Sequence, residues 1–283
     1  MGTTKSNEGT KGAGTPYIPS WLDLEIDNVP LDSSQHSEDV IEKPQDKVKP
    51  IPKPADPQRY INARTNFTKF VKSGGINHKA LQKALSSYVS KTSGGAKQAT
   101  RRMGSSRKVA AHLFSFLTES LSKGVNNVLR SINLENLQGQ PIQEILLGIF
   151  DIISPQGGTI DEGIARSALS QTIIDLSEFK IDIQKLNIDG IKIVIELYIT
   201  NAICEKLYNE IGTGTIAQAK NLSEIDKIEE QIKDFIGSSV ADATNKTLNE
   251  IEKVDQNKIV EIIDSIYTQT FELLSELSKE DPE

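Results

Sequence analysis

The sequence is poor in the residues that most often carry chemistry. Among its 283 residues are one cysteine, Cys204, three histidines and one tryptophan, Trp21. A lone cysteine excludes a disulfide framework and a cysteine-built zinc site. His36, His78 and His112 lack metal-ligand spacing, and no H-E-x-x-H is present. There is no G-x-x-x-x-G-K-[ST] loop for a nucleotide and no G-x-S-x-G elbow. GTGTIA at 212–217 matches G-x-G-x-x-A in its letters only. A dinucleotide site needs a strand before that turn, and here the pattern before it is helical. No apolar run approaches the ~18 residues of a membrane span, and the first thirty residues lack the apolar core of a signal peptide. The expectation is a cytoplasmic protein, not an enzyme, with no catalytic residue, metal, cofactor or membrane partner.

Proline is scarce where a core has to form. Eight of the eleven prolines precede residue 59. That skew predicts a disordered Pro/Gly-rich tail over 1–58, with KPQDKVKPIPKPADP an extended linker, ahead of an all-α, irregular helical bundle. One part of the tail is different. The stretch 16–26 holds Pro16, Tyr17, Ile18, Pro19, Trp21 and Leu22, an aromatic and aliphatic cluster with no local core to enter. Such a cluster docks on the body or serves as a linear motif for a partner.

Charge divides the remainder. Residues 59–130 carry 14 Lys and Arg against a single acid, Glu119, while 131–283 carry 12 bases and 28 acids. These two regions are expected to pack together as one body. The densest basic feature is Lys97, Arg101, Arg102, Arg107 and Lys108. Two readings stand for it: a salt-bridged protein interface, or a nucleic-acid-binding sensor surface. No aromatic residue is interleaved with these cations, so stacking on single strands is not indicated.

Hydrophobic periodicity places the helices. Phe67, Phe70 and Val71 share one face of a first helix that stops at Gly74 and Gly75; Leu81, Leu85 and Tyr88 mark a second from Asn77 to Val89. Ser93 is expected to cap a helix through Arg102, and Gly104 and Ser105 to separate it from one reaching about Leu121. Pro141 reads as a first helical residue. Thr159 and Glu162 read as a capping box for a helix through Leu176, which assigns Asp161 and Glu162 to the helix dipole rather than to acid–base work. In IKIVIELYITNAICEKLYNEI the β-branched start fits a strand, while the length and the spacing of Ile195, Tyr198, Ile199, Ala202, Ile203 and Leu207 fit a buried helix. Ser223 is expected to cap a helix that continues past Gly237 or breaks there, and a last helix is expected from Asp255 to Leu277.

The amino terminus has a chemistry of its own. Met1 precedes Gly2, and a small second residue allows methionine removal. The exposed glycine α-amine has a pKa of roughly 8, against roughly 10.4 for a lysine such as Lys5. It is therefore partly unprotonated and nucleophilic near neutral pH, on a leader narrow enough to thread into an active site. MGTTKS also fits the myristoylation pattern, which would make a lipid-anchored adaptor in a eukaryotic-type host.

Six blocks together resemble one family: MGTTKS, PYIPSWL, ARTNFTKF at 63–70, GGAKQATRRMGSSR at 94–107, GGTIDEGIAR at 157–166 and NEIGTG at 209–214. They are similar to QatB, a component of the bacterial Quatuor (Qat) antiphage defence system. The resemblance implies three partners: a P-loop ATPase (QatA), a QueC-like enzyme (QatC) and a TatD-like nuclease (QatD). It also implies that the QueC-like enzyme adenylates 7-carboxy-7-deazaguanine and passes it to the α-amine of Gly2. Thr3, Thr4 and Lys5 would then line the enzyme's entrance and Tyr17 to Leu22 would anchor the tail. On this reading the chain is a non-enzymatic subunit, a protein substrate and a scaffold.

Overall fold

The computed structural model describes residues 58–154, 157–216, 221–249 and 258–277, and the described residues form helices and turns without a strand. The expected tail with its docking cluster, the Pro155–Gln156 part of the turn at 155–158, and residues 255–257 lie outside that set.

Helix α1 (Ile61–Lys72) ends as its glycines require. Gly74 and Gly75 take φ of 66° and 82°. Gly75 N–H reaches the Phe70 carbonyl at 3.2 Å and Gly74 N–H the Val71 carbonyl at 2.9 Å. This is the pair of bonds that closes a Schellman motif. Helix α2 (His78–Ser87) starts on Asn77, whose side chain accepts from Ala80 N–H, and runs on through a π turn at Tyr88–Thr92. Short α3 (Ala96–Arg101) leads into long α4 (Gly104–Lys123), and α5 (Val125–Ser131) turns back from Gly124. Helices α6 (Ile142–Gly148) and α7 (Phe150–Ile153) connect to α8 (Ile160–Asp175). After two 3-10 turns come α9 (Ile188–Leu207), α10 (Leu222–Asn249) and α11 (Ile259–Glu276).

Several local expectations shift by a residue or two. Ser93 does not cap α3: its N–H closes the preceding π turn on Tyr88, and Gly95, with φ of 101°, occupies the cap position. Pro141 stands just before α6, its ψ of 156° still extended. Asn221 rather than Ser223 caps α10, accepting from Glu224 N–H at 2.9 Å. The capping box of α8 forms as read: Thr159 accepts from Glu162 N–H and Glu162 from Thr159 N–H.

Segment 191–207 is helix. Its β-branched residues disfavour that state only weakly, and burial on nearly every side overrides them. Ile191, Val194, Ile195, Tyr198, Ile199, Ala202 and Leu207 are all fully enclosed. Each of the Ile, Val and Leu side chains among them contributes about 1.5–3 kcal/mol on burial. Helix α9 packs along α8 and α10 and across α4; α11 packs on α10, α4, α3 and α2. The basic and acidic halves thus share one hydrophobic core. Phe67 and Phe70 from the first half, and Tyr198, Tyr267 and Phe271 from the second, are all buried in it.

Candidate functional site

Two features organise the charged surface of this body: a buried ionic cluster at one end of α9, and an acidic groove along its side.

The cluster is built from segments far apart in sequence. Arg102, at the end of α3, donates from Nη2 to Glu210 Oε1 at 2.8 Å and to the Tyr60 hydroxyl at 3.2 Å. Lys206, one turn before Glu210, lies 3.3 Å from the same carboxylate oxygen and 2.5 Å from Asp161 Oδ1 in the first turn of α8. Arg64 of α1 donates to the Glu210 backbone carbonyl at 2.9 Å. Burial works against the Arg102 charge, but the Glu210 carboxylate more than restores it and holds the guanidinium pKa above its usual value. The Tyr88 phenol, enclosed and facing the same carboxylate, is pushed well up. A second link is bidentate: Arg107 donates from Nε and Nη2 to the two carboxylate oxygens of Asp264, both at 2.6 Å.

The five cations of the basic segment are thereby sorted. Arg102 and Arg107 point inward and join α3 and α4 to the acidic half. Lys97 and Arg101 are exposed, and Lys108 is half-buried. Gly2, Thr3, Thr4, Lys5, Pro16, Tyr17, Ile18, Pro19, Trp21 and Leu22 lie outside the described residues. The sequence reading passed over Glu210 and Asp264 as residues in their own right. Their signals were Glu210 at i+4 from Lys206, and an acid within the apolar stripe of α11.

The other candidates are structural. His112 is enclosed, with Nδ1 3.2 Å from the Ile153 carbonyl; burial lowers its pKa, and that backbone contact only partly offsets the effect. Cys204 is buried on α9, and burial pushes its thiol up to about 12. The glycines of the GTGTIA stretch follow a helix and a π turn rather than a strand, and Gly212 sits against Phe67 of α1. Among the described residues no helix is long and apolar enough to cross a membrane, and no group of three or more His, Cys, Asp or Glu is placed to hold a metal.

The groove runs between α9 and α10 with the 3-10 turn after α8 as one wall, and encloses about 610 Å³. Its lining mixes Phe179, Ile193, Leu197, Thr200, Gly237 and Ala241 with the carboxylates of Glu178, Glu196, Glu230 and Asp234, and includes Lys233. None of those four carboxylates is in an ion pair with a described residue. Burial raises the Glu196 pKa, and nearby Lys192 only partly counters this. At one end Asp175 receives Lys233, Asn201 and Gln171. Burial alone would raise the Asp175 pKa; those hydrogen bonds outweigh it and hold the carboxyl below its usual range.

A family model described as "Qat anti-phage system associated protein QatB" covers residues 94–274. No curated protein and no solved structure matches the chain. The matched stretch begins at the glycine pair before Arg102 and takes in Arg107, Asp161, Lys206, Glu210 and Asp264. The chain belongs to the QatB family, and its role therefore lies in Qat anti-phage defence alongside other components of that system.

Proposed function

We propose that this chain is a non-enzymatic scaffold subunit of the Qat assembly and the protein substrate of its QueC-like member, QatC. The observation that carries the reading is QatB membership over 94–274, joined to a Met-Gly leader that lies outside the matched stretch. Gly2 is the acceptor. Once Met1 is removed, the unprotonated α-amine attacks the adenylated carboxylate of 7-carboxy-7-deazaguanine. An amide forms, AMP leaves, and the amine's proton passes to solvent. A pKa of roughly 8 leaves about a tenth of the amine reactive at pH 7, some two orders of magnitude more than a lysine. Thr3, Thr4 and Lys5 lie at the enzyme's entrance, and Pro16 to Leu22 hold the leader on its surface. The P-loop ATPase QatA and the TatD-like nuclease QatD complete the set of partners.

The described body supports the scaffold part of this reading. Its buried charges are engaged in joining its own helices, as Arg102 with Glu210 and Arg107 with Asp264 do. The nucleic-acid alternative retains Lys97, Arg101 and Lys108 from the original five cations, because Arg102 and Arg107 are turned inward.

Reconstitution tests the proposal. The purified chain is mixed with the QueC-like enzyme, ATP and the deazaguanine acid, and followed by intact-mass spectrometry. One addition equal to the acid less water is expected on the chain that has lost Met1. A chain that stays unmodified, or an addition mapped to a lysine, contradicts the assignment.

A further inference from the structure

The groove between α9 and α10 combines apolar lining with four carboxylates that form no ion pair with a described residue; the one lysine in its lining, Lys233, is taken up by Asp175. An occupant that suits it carries positive charges alternating with compact apolar residues. The chain contains one such stretch. Residues 47–54 read KVKPIPKP, placing Lys47, Lys49 and Lys53 around Val48, Ile51 and three prolines with no acid among them. Earlier parts of the tail do not suit it: from Asp23 to Glu42 the sequence carries seven acids and no Lys or Arg.

The reach is adequate. The described chain starts at Gln58, and Tyr60 is fixed beside Glu210 by its hydroxyl, 3.5 Å from the carboxylate. Leu197, one of the residues lining the groove, is thirteen residues before Glu210, or ~20 Å along a helix. An extended chain of ~3.1 Å per residue carries Lys53 ~16 Å from Gln58 and Lys47 ~34 Å. The stretch from Lys53 to Lys47 therefore brackets the groove, with length to spare for a path over the surface.

We propose that Lys47–Lys53 docks in cis in the groove between α9 and α10, with Val48 and Ile51 on the apolar lining and the lysines against Glu178, Glu196, Glu230 and Asp234. Docking there leaves the residues up to Asp46 ahead of the docked stretch, which starts beside α9. The inference rests on charge, apolar pattern and reach, and stands independently of what becomes of Gly2.

Disulfide trapping in the full chain tests it. Ile51→Cys is combined with Ser238→Cys in the groove lining, and separately with Lys97→Cys on exposed α3 as the control. Native Cys204 is buried and stays out of the reaction. At low salt, with oxidised glutathione as the oxidant, the groove pair is expected to form an intrachain disulfide ~10-fold faster than the control, because docking raises the local concentration of the two thiols. Adding Glu230→Lys and Asp234→Lys, both at exposed positions, should bring the rate down to the control while the circular dichroism spectrum is unchanged. Equal rates for the two pairs overturn the proposal. So does a groove pair that links only between chains, which assigns the groove to a second copy, and so does trapping that persists after both charge reversals.

Discussion

Glu210 is the residue on which the most separate parts of the molecule depend. Its carboxylate meets Arg102 and Lys206, and its backbone carbonyl meets Arg64. Removing one partner from a buried ionic set leaves the others uncompensated, at a cost of about 3–5 kcal/mol. Glu210→Ala is expected to lower stability by about 3 kcal/mol, read as a fall in the urea midpoint at unchanged slope. A change below about 0.5 kcal/mol, the usual range for a surface substitution, would show that the cluster contributes little. His112 makes a second residue-scale prediction. Its folded pKa lies below the usual 6.5, so the unfolded chain binds the proton more readily. Its contribution is complete above about pH 6.5 and is lost as pH falls through the lower, folded value. Glu196 and Glu229 act in the opposite sense, since burial raises both and Asp226 and Glu205 raise Glu229 further. The comparison is therefore with His112→Gln. Between pH 7 and pH 5 the wild type should lose more stability than the variant, and parallel urea-midpoint profiles would contradict the assignment.

At the scale of elements, the helix ends with local chemistry were the legible ones. The Gly74–Gly75 stop and the Thr159–Glu162 box follow from residue types within a few positions, and both appear as read. The ends that moved have a competing neighbour: Ser93 is drawn into a π turn, and Asn221 precedes Ser223 and reaches the Glu224 N–H first. Helix α9 was ambiguous for a physical reason. A segment enclosed on nearly every side shows neither the alternation of a half-buried strand nor the stripe of a surface helix. The question left open at Gly237 is settled by α10, which passes through it without a break. A methyl added there would meet Thr200 at 3.7 Å, an ordinary contact. Gly237→Ala is therefore expected to stabilise the protein by about 0.5–1 kcal/mol, through helix propensity alone. A lower thermal midpoint in that variant would mean the lining of the groove is tighter than its geometry indicates.

Over the whole molecule, the opposed charges of the two halves are used partly to join them. Arg102 and Arg107 bind Glu210 and Asp264 across 108 and 157 residues of sequence. Net charge revealed that asymmetry, but it could not say which arginines face inward, because contacts at that separation leave no local pattern. The blocks that pointed to the family converge here: Arg64, Arg102, Asp161 and Glu210 come from four of them and are linked through Glu210 and Lys206. The helical class and the QatB family were thus both readable from sequence, whereas the ionic cluster and the acidic groove required the fold. The proposed modification lies at the other end of the chain. The chain is purified from cells carrying the whole Qat system, and its amino-terminal peptide is fragmented by tandem mass spectrometry. The predicted result is an amide-linked deazaguanine on the first fragment ion, at Gly2, and its loss when the QueC-like enzyme is inactivated. An unmodified Gly2 in a system that still blocks phage would contradict it.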